Sequence, residues 1–212
     1  MRIFSNAARP VHLGAFPLER LPRVAVGEAT IRALRDLPEK AEAANGNALA
    51  KICREYCEIY ERFRDGAVAH EKAPYFEDPA ARSNELKSMA LFFDATLVGV
   101  SAVPASAWLH EPLAEHSWAV ALAVEYDDQV EADNPIHDLI CGSGGAVAKM
   151  RATEVAAIIS AYIRQLGFSA VAHAPHLTEI SLAAMAVQSG IARFEDGKLV
   201  APFVGSRIAI GS

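Results

Sequence analysis

The sequence predicts an α/β domain in which helices and strands form layers around one core. Two features of the pattern predict it. Stretches with apolar residues at helical spacing alternate with short, nearly continuous apolar runs, the mark of strands buried on both faces. The length of 212 residues and the 52% apolar content suit one sizeable core.

Taken in order, residues 1–24 hold three prolines, little periodicity and both charge signs. They read as an extended arm, laid over the domain or exchanged with a neighbour, and residues 25–212 as a single α/β domain. Over residues 27–44, Ile31, Leu34 and Leu37 give a helical pattern that Pro38 ends or kinks. Asn45-Gly46 is a break. Asn47 then caps a helix to about Arg64, with Leu49, Ile52, Tyr56, Ile59, Tyr60 and Phe63 on its expected inner face. Asp78-Pro79 opens the next helix, a capping residue followed by proline in the first turn. That helix runs to about Asp94 and presents Leu86, Met89, Ala90 and Phe93.

Residues 97–103 are a predicted strand, 104–115 a loop broken by proline and small residues, and 118–125 a buried strand. Residues 126–145 form a long irregular segment, with acids at 127, 128, 131 and 133 and the run Gly142-Ser143-Gly144-Gly145. A loop of that length inside a compact domain is functional or mobile. From Arg151 onward, Val155, Ile158, Ile159, Tyr162 and Ile163 recur at helical spacing, and Gly167 stops the helix. A strand over 168–172, an Ala-rich helix over 179–188 ended by Gly190, and strands over 198–203 and 207–210 complete the chain. The last two are expected to be joined by the Val-Gly-Ser turn.

Composition excludes several functions. A net charge of −6 argues against a nucleic-acid surface. No apolar run reaches membrane length and no signal-peptide pattern opens the chain, so the expected location is cytoplasmic, with no membrane partner. Three cysteines, an odd count, suit a reducing compartment better than a disulfide scaffold.

The C-terminal quarter carries a resemblance. The segments are Ser189-Gly190-Ile191-Ala192, then Gly197-Lys198-Leu199-Val200-Ala201-Pro202, then Gly205-Ser206-Arg207, after a helix ending Leu166-Gly167. Together with FSNAARPVHLGAFPLERLPR at the N-terminus and DATLVGVSAV in the middle, they resemble the corrinoid-binding domain of reductive dehalogenases and, more distantly, epoxyqueuosine reductase. The resemblance implies a nitroreductase-like sandwich with a mixed sheet flanked by helices, and cobalamin as the candidate cofactor.

Two departures from the family pattern bear on function. Its members hold two iron–sulfur clusters on cysteine runs downstream of the corrinoid domain. Here Cys53, Cys57 and Cys141 all lie upstream, so no iron–sulfur cluster is expected, and dehalogenation without an outside electron source is not expected either. The family also places Arg or Lys within the glycine-rich segment beside its substrate, where a cation steadies a phenolate and a departing halide. The corresponding position here is Asp196 or Glu195, which reverses that logic.

Tyr126, which follows the apolar strand, matches the family's proton-donating tyrosine, against the plainer reading of a tyrosine packed at a strand end. Gly142, Ser143 and Gly144, with Arg151 beyond, suit a nucleotide-tail cradle or a hinge; the pattern is neither a Walker loop nor a dinucleotide fingerprint. His173 and His176 flank Pro175 at a predicted strand end, where α/β folds place ligands. Ser189, Gly190 and Gly197 complete the set expected to touch a cofactor. No metal site is expected: Cys53 and Cys57 share a helix face, and two thiols do not make a tetrahedral site.

The reading that joins these points is a degenerate or split reductive-dehalogenase-like module acting as a structural or partner-binding domain, as a homodimer or on a catalytic partner. The alternative is a cobalamin-binding protein, in corrinoid handling or in reduction with external electron donors. FMN binding is a weaker option that rests on fold analogy alone.

Overall fold

The computed structural model describes residues 26–37, 47–74, 78–111, 116–126, 130–202 and 204–212. The expected arm over 1–24, the Pro38 stop and the Asn45-Gly46 break lie outside them.

Helix α1 (Glu28–Arg35) buries Ile31 and Leu34, as the spacing predicts. Helix α2 (Ala48–Glu61) is capped by Asn47, whose side chain accepts the amide of Ala50. Helix α3 (Pro79–Phe92) is capped in the same way by Asp78 onto Ala80. Strand β1 (Leu97–Ala102) and a 3-10 turn over Ala105–Ala107 lead to strand β2 (Trp118–Glu125). A short helix α4 (His137–Ile140) sits inside the segment expected to be irregular. The long helix α5 (Gly144–Gln165) and helix α6 (Leu182–Gln188) follow. Strands β3 (Arg193–Glu195), β4 (Lys198–Val200) and β5 (Ile208–Gly211) close the chain.

The main sheet has the order β1-β2-β5, with β3-β4 as a separate two-stranded sheet. All three named pairings are antiparallel; the mixed sheet implied by the resemblance is not seen among the described residues. Alternation along the strands divides the core in two. Leu97, Ala121, Ala123 and Ile210 face α1 and α6. Val98, Leu122, Val124 and Ala209 face α3 and α5. The sheet is thus flanked by helices on both faces, an α/β layered arrangement.

Four local expectations are corrected. First, α5 starts seven residues before Arg151, so Gly144 and Gly145 are helical rather than hinge. Glycine's low helix propensity is overridden because Ala146 and its half-buried neighbours Val147 and Met150 pack onto α2. Second, residues 168–172 form no strand. The amide of Ala172 bonds Arg64 O (3.0 Å), the carbonyl of Ala170 accepts from Arg164 Nη1 (2.8 Å), and the next residue, His173, exchanges amide and carbonyl bonds with Ser212.

Third, β4 and β5 do not pair with each other. A hairpin, β3-β4, turns at Asp196-Gly197, where both residues have positive φ (49° and 75°). That is the geometry for which Asp-Gly is the common choice. Fourth, the α2 face is inverted. Ala50, Cys53 and Cys57 are buried, whereas Ile52, Tyr56, Ile59 and Phe63 are 49%, 48%, 41% and 59% exposed.

Small residues set the interlayer distances. At Gly99 of β1 a Cβ would stand 2.7 Å from Ser189 O and 2.9 Å from Ser189 Cβ. The end of α6 therefore rests on bare strand backbone. Gly99→Ala is expected to destabilise the fold by about 1–3 kcal/mol through overpacking. Chemical denaturation checks this, and an unchanged midpoint would mean that the contact relaxes freely.

Candidate functional site

The chain leaving α5 turns back at Gly167 (φ 85°) and returns beside the α5 face of the sheet. Between this return segment, the second half of α5, the start of α3 and the Val100/Val120 end of the sheet lies a cavity of about 360 Å³. Its walls are mostly apolar. Ala156, Ile159 and Ile163 come from α5, Leu86 from α3 and Phe168 from the return segment, while Trp108 and Trp118 stand at the sheet end. These are the protein's two tryptophans.

Polar residues also line that space, among them His116, Ser169 and His173 together with Arg82 and Ser160. His116 Nε2 lies 2.9 Å from Ser169 Oγ, joining the approach to β2 with the return segment. His173 is only 6% exposed, and its Nδ1 accepts the backbone N–H of Glu179 at 3.3 Å. In a neutral ring that bond places the proton on Nε2. Nε2 meets no hydrogen-bond partner among the described residues. Burial first, then the nearby Arg64 cation, lowers the His173 pKa to about 4; Glu179 acts weakly the other way and His116 adds to the lowering. The imidazole is therefore neutral at pH 7.

A charged group flanks His173 on the α2 side. Arg64 pairs with Glu179, while Arg64 Nε is buried without a partner. Burial raises the Glu61 pKa, with His176 and Arg64 opposing the rise and Glu58 adding to it. His176 itself is exposed on the turn after His173.

The other expected site residues fall in two further places. Around the N-terminus of α5, Ser143 is buried and its hydroxyl donates to Asn47 Oδ1 at 2.6 Å. Asn47 Nδ2 in turn donates to Leu139 O at 2.7 Å. Ser143 is thus committed to fastening α2 to the segment before α5. Gly142 has positive φ, and Gly144 is the first residue of the helix. The Tyr126 ring packs over Gly145, its Cζ 3.7 Å from where a Cβ would stand. Arg151, two turns into α5, is held by Glu154 (2.8 Å) and Asp94 (3.3 Å).

At the far side of the sheet, Ser189 is buried against Gly99 and Gly190 ends α6. Gly197 and Asp196 form the exposed tip of the β3-β4 hairpin. Of the nine residues singled out from the sequence, only His173 lines the cavity. His116, Ser169 and the tryptophans were not foreseen. They meet only through the tertiary fold, and no local pattern announces that.

Cys53 is buried, and its pKa is raised by that burial against a small opposing effect of Arg54; Cys57 is buried and Cys141 exposed. No group of three or more His, Cys, Asp or Glu side chains arranged to hold a metal occurs among the described residues. No helix among them is long and apolar enough to cross a membrane.

The fit to a corrinoid can be tested on this geometry. The cavity lies at the small end of the usual ligand-site range of about 300–1,000 Å³, and a macrocycle with its nucleotide tail exceeds it. The residues expected to wrap one are spread over three places, two of them already used in packing and turn formation. Among the described residues, this cavity and those side chains do not form a corrinoid cleft.

No family model and no curated protein sequence matches the chain. Solved structures do. The whole chain is similar to 30% of the catabolic reductive dehalogenase NpRdhA, at 37% identity and a TM-score of 0.81. The same enzyme in complex with 3-bromo-4-hydroxybenzoic acid matches at 37% identity and a TM-score of 0.80 over 29% of its length. A reductive dehalogenase structure described as suggesting a mechanism for B12-dependent dehalogenation matches at 37% identity and a TM-score of 0.81, over 30% of that chain. The protein therefore resembles part of a reductive dehalogenase and spans less than a third of the length of these relatives.

Proposed function

We propose that this chain is a reductive-dehalogenase-like module that keeps the scaffold without dehalogenating on its own, and that it serves as a structural, partner-binding domain. The observation that carries this reading is a pairing. Similarity runs over all of this chain at 37% identity, yet Tyr126, the glycines and Ser189 do not line the cavity beside α5. Where the resemblance places a cation beside the substrate, the chain has Glu195 and Asp196 at a solvent-exposed hairpin. An anion there opposes the charge that would develop on a phenolate or halide. Three cysteines also fall short of the four thiolates that one cluster takes.

The nitroreductase-like character of the sandwich and a cytoplasmic location belong to the same reading. Its partner-binding half draws on the exposed α2 stripe of Ile52, Tyr56, Ile59 and Phe63, since a contiguous apolar face of this kind marks a contact surface. The occupant we assign is the remainder of a dehalogenase-like protein, because the relatives carry more than two thirds of their length beyond the matched part. A homodimer through the same stripe is the rival assembly, and sedimentation of the purified chain separates the two.

The test uses the purified chain with hydroxocobalamin, a strong one-electron donor and a halogenated phenol. The expected result is halide release no higher than the blank and no base-off spectral change. Halide release would overturn the proposal. A spectral change with retained colour would favour cobalamin handling instead.

A further inference from the structure

We infer that the cavity between α5 and the sheet is a binding site for a straight-chain carboxylate, its apolar tail lying along α5 and its head group at Arg82. The inference is independent of the module reading.

Three observations carry it. The first is that the cavity is drawn out along one helix. Ala156, Ile159, Ser160 and Ile163 line it from α5, and their spacing puts them on one face over about 10 Å, at a rise of about 1.5 Å per residue. Leu166 and Phe168 continue that wall beyond the helix end. The second is a gradient of burial. Helix α3 runs antiparallel to α5: Arg151 meets Asp94 at 3.3 Å, and Tyr162, three turns on, donates to Glu85 Oε1 at 2.6 Å. The start of α3, and Arg82 with it, therefore lies at the C-terminal end of α5. Of the lining residues, Arg82, Trp118 and Ser169 are exposed, whereas Ala156, Ile159, His173 and Ile180 are buried. The third is charge. Among the described residues, Arg82 is the one lining group with a fixed charge, and no Asp or Glu lines the cavity. Lys72 adds a cation at the same end, its Nζ 5.2 Å from the centre of the Phe168 ring.

The class of ligand follows from this arrangement. The inner polar groups already have bonds: Ser160 Oγ donates to Ala157 O at 2.9 Å, and the backbones of Ser212 and His173 bond each other. His173 Nδ1 takes the Glu179 amide, and His116 and Ser169 satisfy each other at 2.9 Å. The interior is thus matched to an apolar tail, since a second polar group would be buried there at a cost. At the mouth, a carboxylate fits a guanidinium fork through two parallel hydrogen bonds, whereas an ammonium would meet Arg82 and Lys72 as like charges. A guanidinium has five N–H donors, so the site does not require Arg82 to lack other contacts. The tail is straight because a chain extended along α5 touches the whole length of its wall. The volume of about 360 Å³, at the small end of ligand sites, holds one such chain.

The experiment titrates the full chain at neutral pH with octanoate, octylamine, octanol and acetate, following tryptophan emission and calorimetric heat. Trp108 and Trp118 both line the cavity, so occupancy is reported directly. Saturable octanoate binding is expected, with octylamine at least about tenfold weaker because like charges then face each other, and acetate without measurable heat. Arg82→Gln is expected to weaken octanoate about fivefold, the size of one solvent-exposed charged pair, and to leave octanol unchanged. Val120→Phe, which fills the cavity from β2, is expected to weaken octanoate and octanol alike by at least about tenfold, as when an apolar pocket loses its fit. Val171→Phe fills it from the return segment and serves if the first variant does not fold. No saturable octanoate binding at millimolar concentration would overturn the site, as would unchanged affinity in a folded cavity-filled variant. Octylamine binding as tightly as octanoate, or unchanged octanoate affinity in Arg82→Gln, would overturn the placing of the head group.

Discussion

Arg164→Met is expected to lower the unfolding free energy by about 3 kcal/mol, since buried carbonyls lose a charged donor and hydrogen bonds to charged groups are worth about 1.5–3 kcal/mol each. Arg164 lies in the last turn of α5 and is only 5% exposed. Its Nη1 donates to Arg64 O (3.1 Å) and Ala170 O (2.8 Å), and its Nη2 to Phe63 O (3.0 Å). Two of those carbonyls follow the end of α2, where a helix leaves its last acceptors unsatisfied. The third belongs to the return segment that walls the cavity. One guanidinium thus fastens α2, α5 and the segment carrying His173.

Gly66 lies against the same group, its Cβ position 3.4 Å from Arg164 Nε. The amide of Ala69 then bonds the Arg164 carbonyl at 3.0 Å. Methionine fills the volume and removes every donor, so Phe63 O and Ala170 O lose theirs together while Arg64 O keeps only the Ala172 amide. Arg164→Lys should recover only part of the loss, because an ammonium does not span a planar fork. Urea unfolding of both variants checks the order. Equal stability of methionine and arginine at this position would mean that water replaces the guanidinium without cost.

Much of the local structure was legible because its signals are short-range. Asn47 and Asp78 cap helices where the sequence places caps, and the runs at 97–102 and 118–125 are strands. Gly167 and Gly190 end helices in the left-handed conformation. The α2 face was not legible, for a physical reason. Ile52, Tyr56, Ile59 and Phe63 are larger and more apolar than Ala50, Cys53 and Cys57, so amphipathic reasoning turns them inward. The close approach of α5 selects the small residues instead, as the 3.9 Å contact between Thr153 Oγ1 and Cys57 Sγ indicates.

The β3-β4 hairpin did carry a local signal, Asp196-Gly197 between two short extended runs. The resemblance to the glycine-rich pattern gives the same residues a different role. The cavity had no comparable signal. His116 and Ser169 are 53 positions apart, and the walls come from five separate stretches of chain. Of the site, the sequence revealed His173 alone, because its place beside Pro175 at the end of an apolar run is visible locally.

That histidine gives the other large effect, a loss of stability in mild acid. In the unfolded chain a histidine titrates at its ordinary value of about 6.5; in the fold the pKa is lowered to about 4. The sign follows from proton counting. Between these two values the unfolded chain binds a proton that the folded chain refuses, so protonation favours unfolding. The contribution is fully present above about pH 6.5, shrinks as the pH falls, and is gone by about pH 4. Its full size is about 3 kcal/mol, from the linkage relation applied to the interval between the two values.

Burial is the main cause, so the effect does not depend on the neighbouring charges, although Arg64 deepens it and Glu179 offsets part of it. The control is His173→Gln, which retains an acceptor for the Glu179 amide and does not titrate. Its unfolding free energy should vary less between pH 7 and pH 4.5 than that of the unmodified chain, by about 2 kcal/mol or more. If the two pH profiles are parallel, the imidazole protonates in the folded state without resistance. Water must then reach the ring in the folded chain about as freely as in the unfolded one.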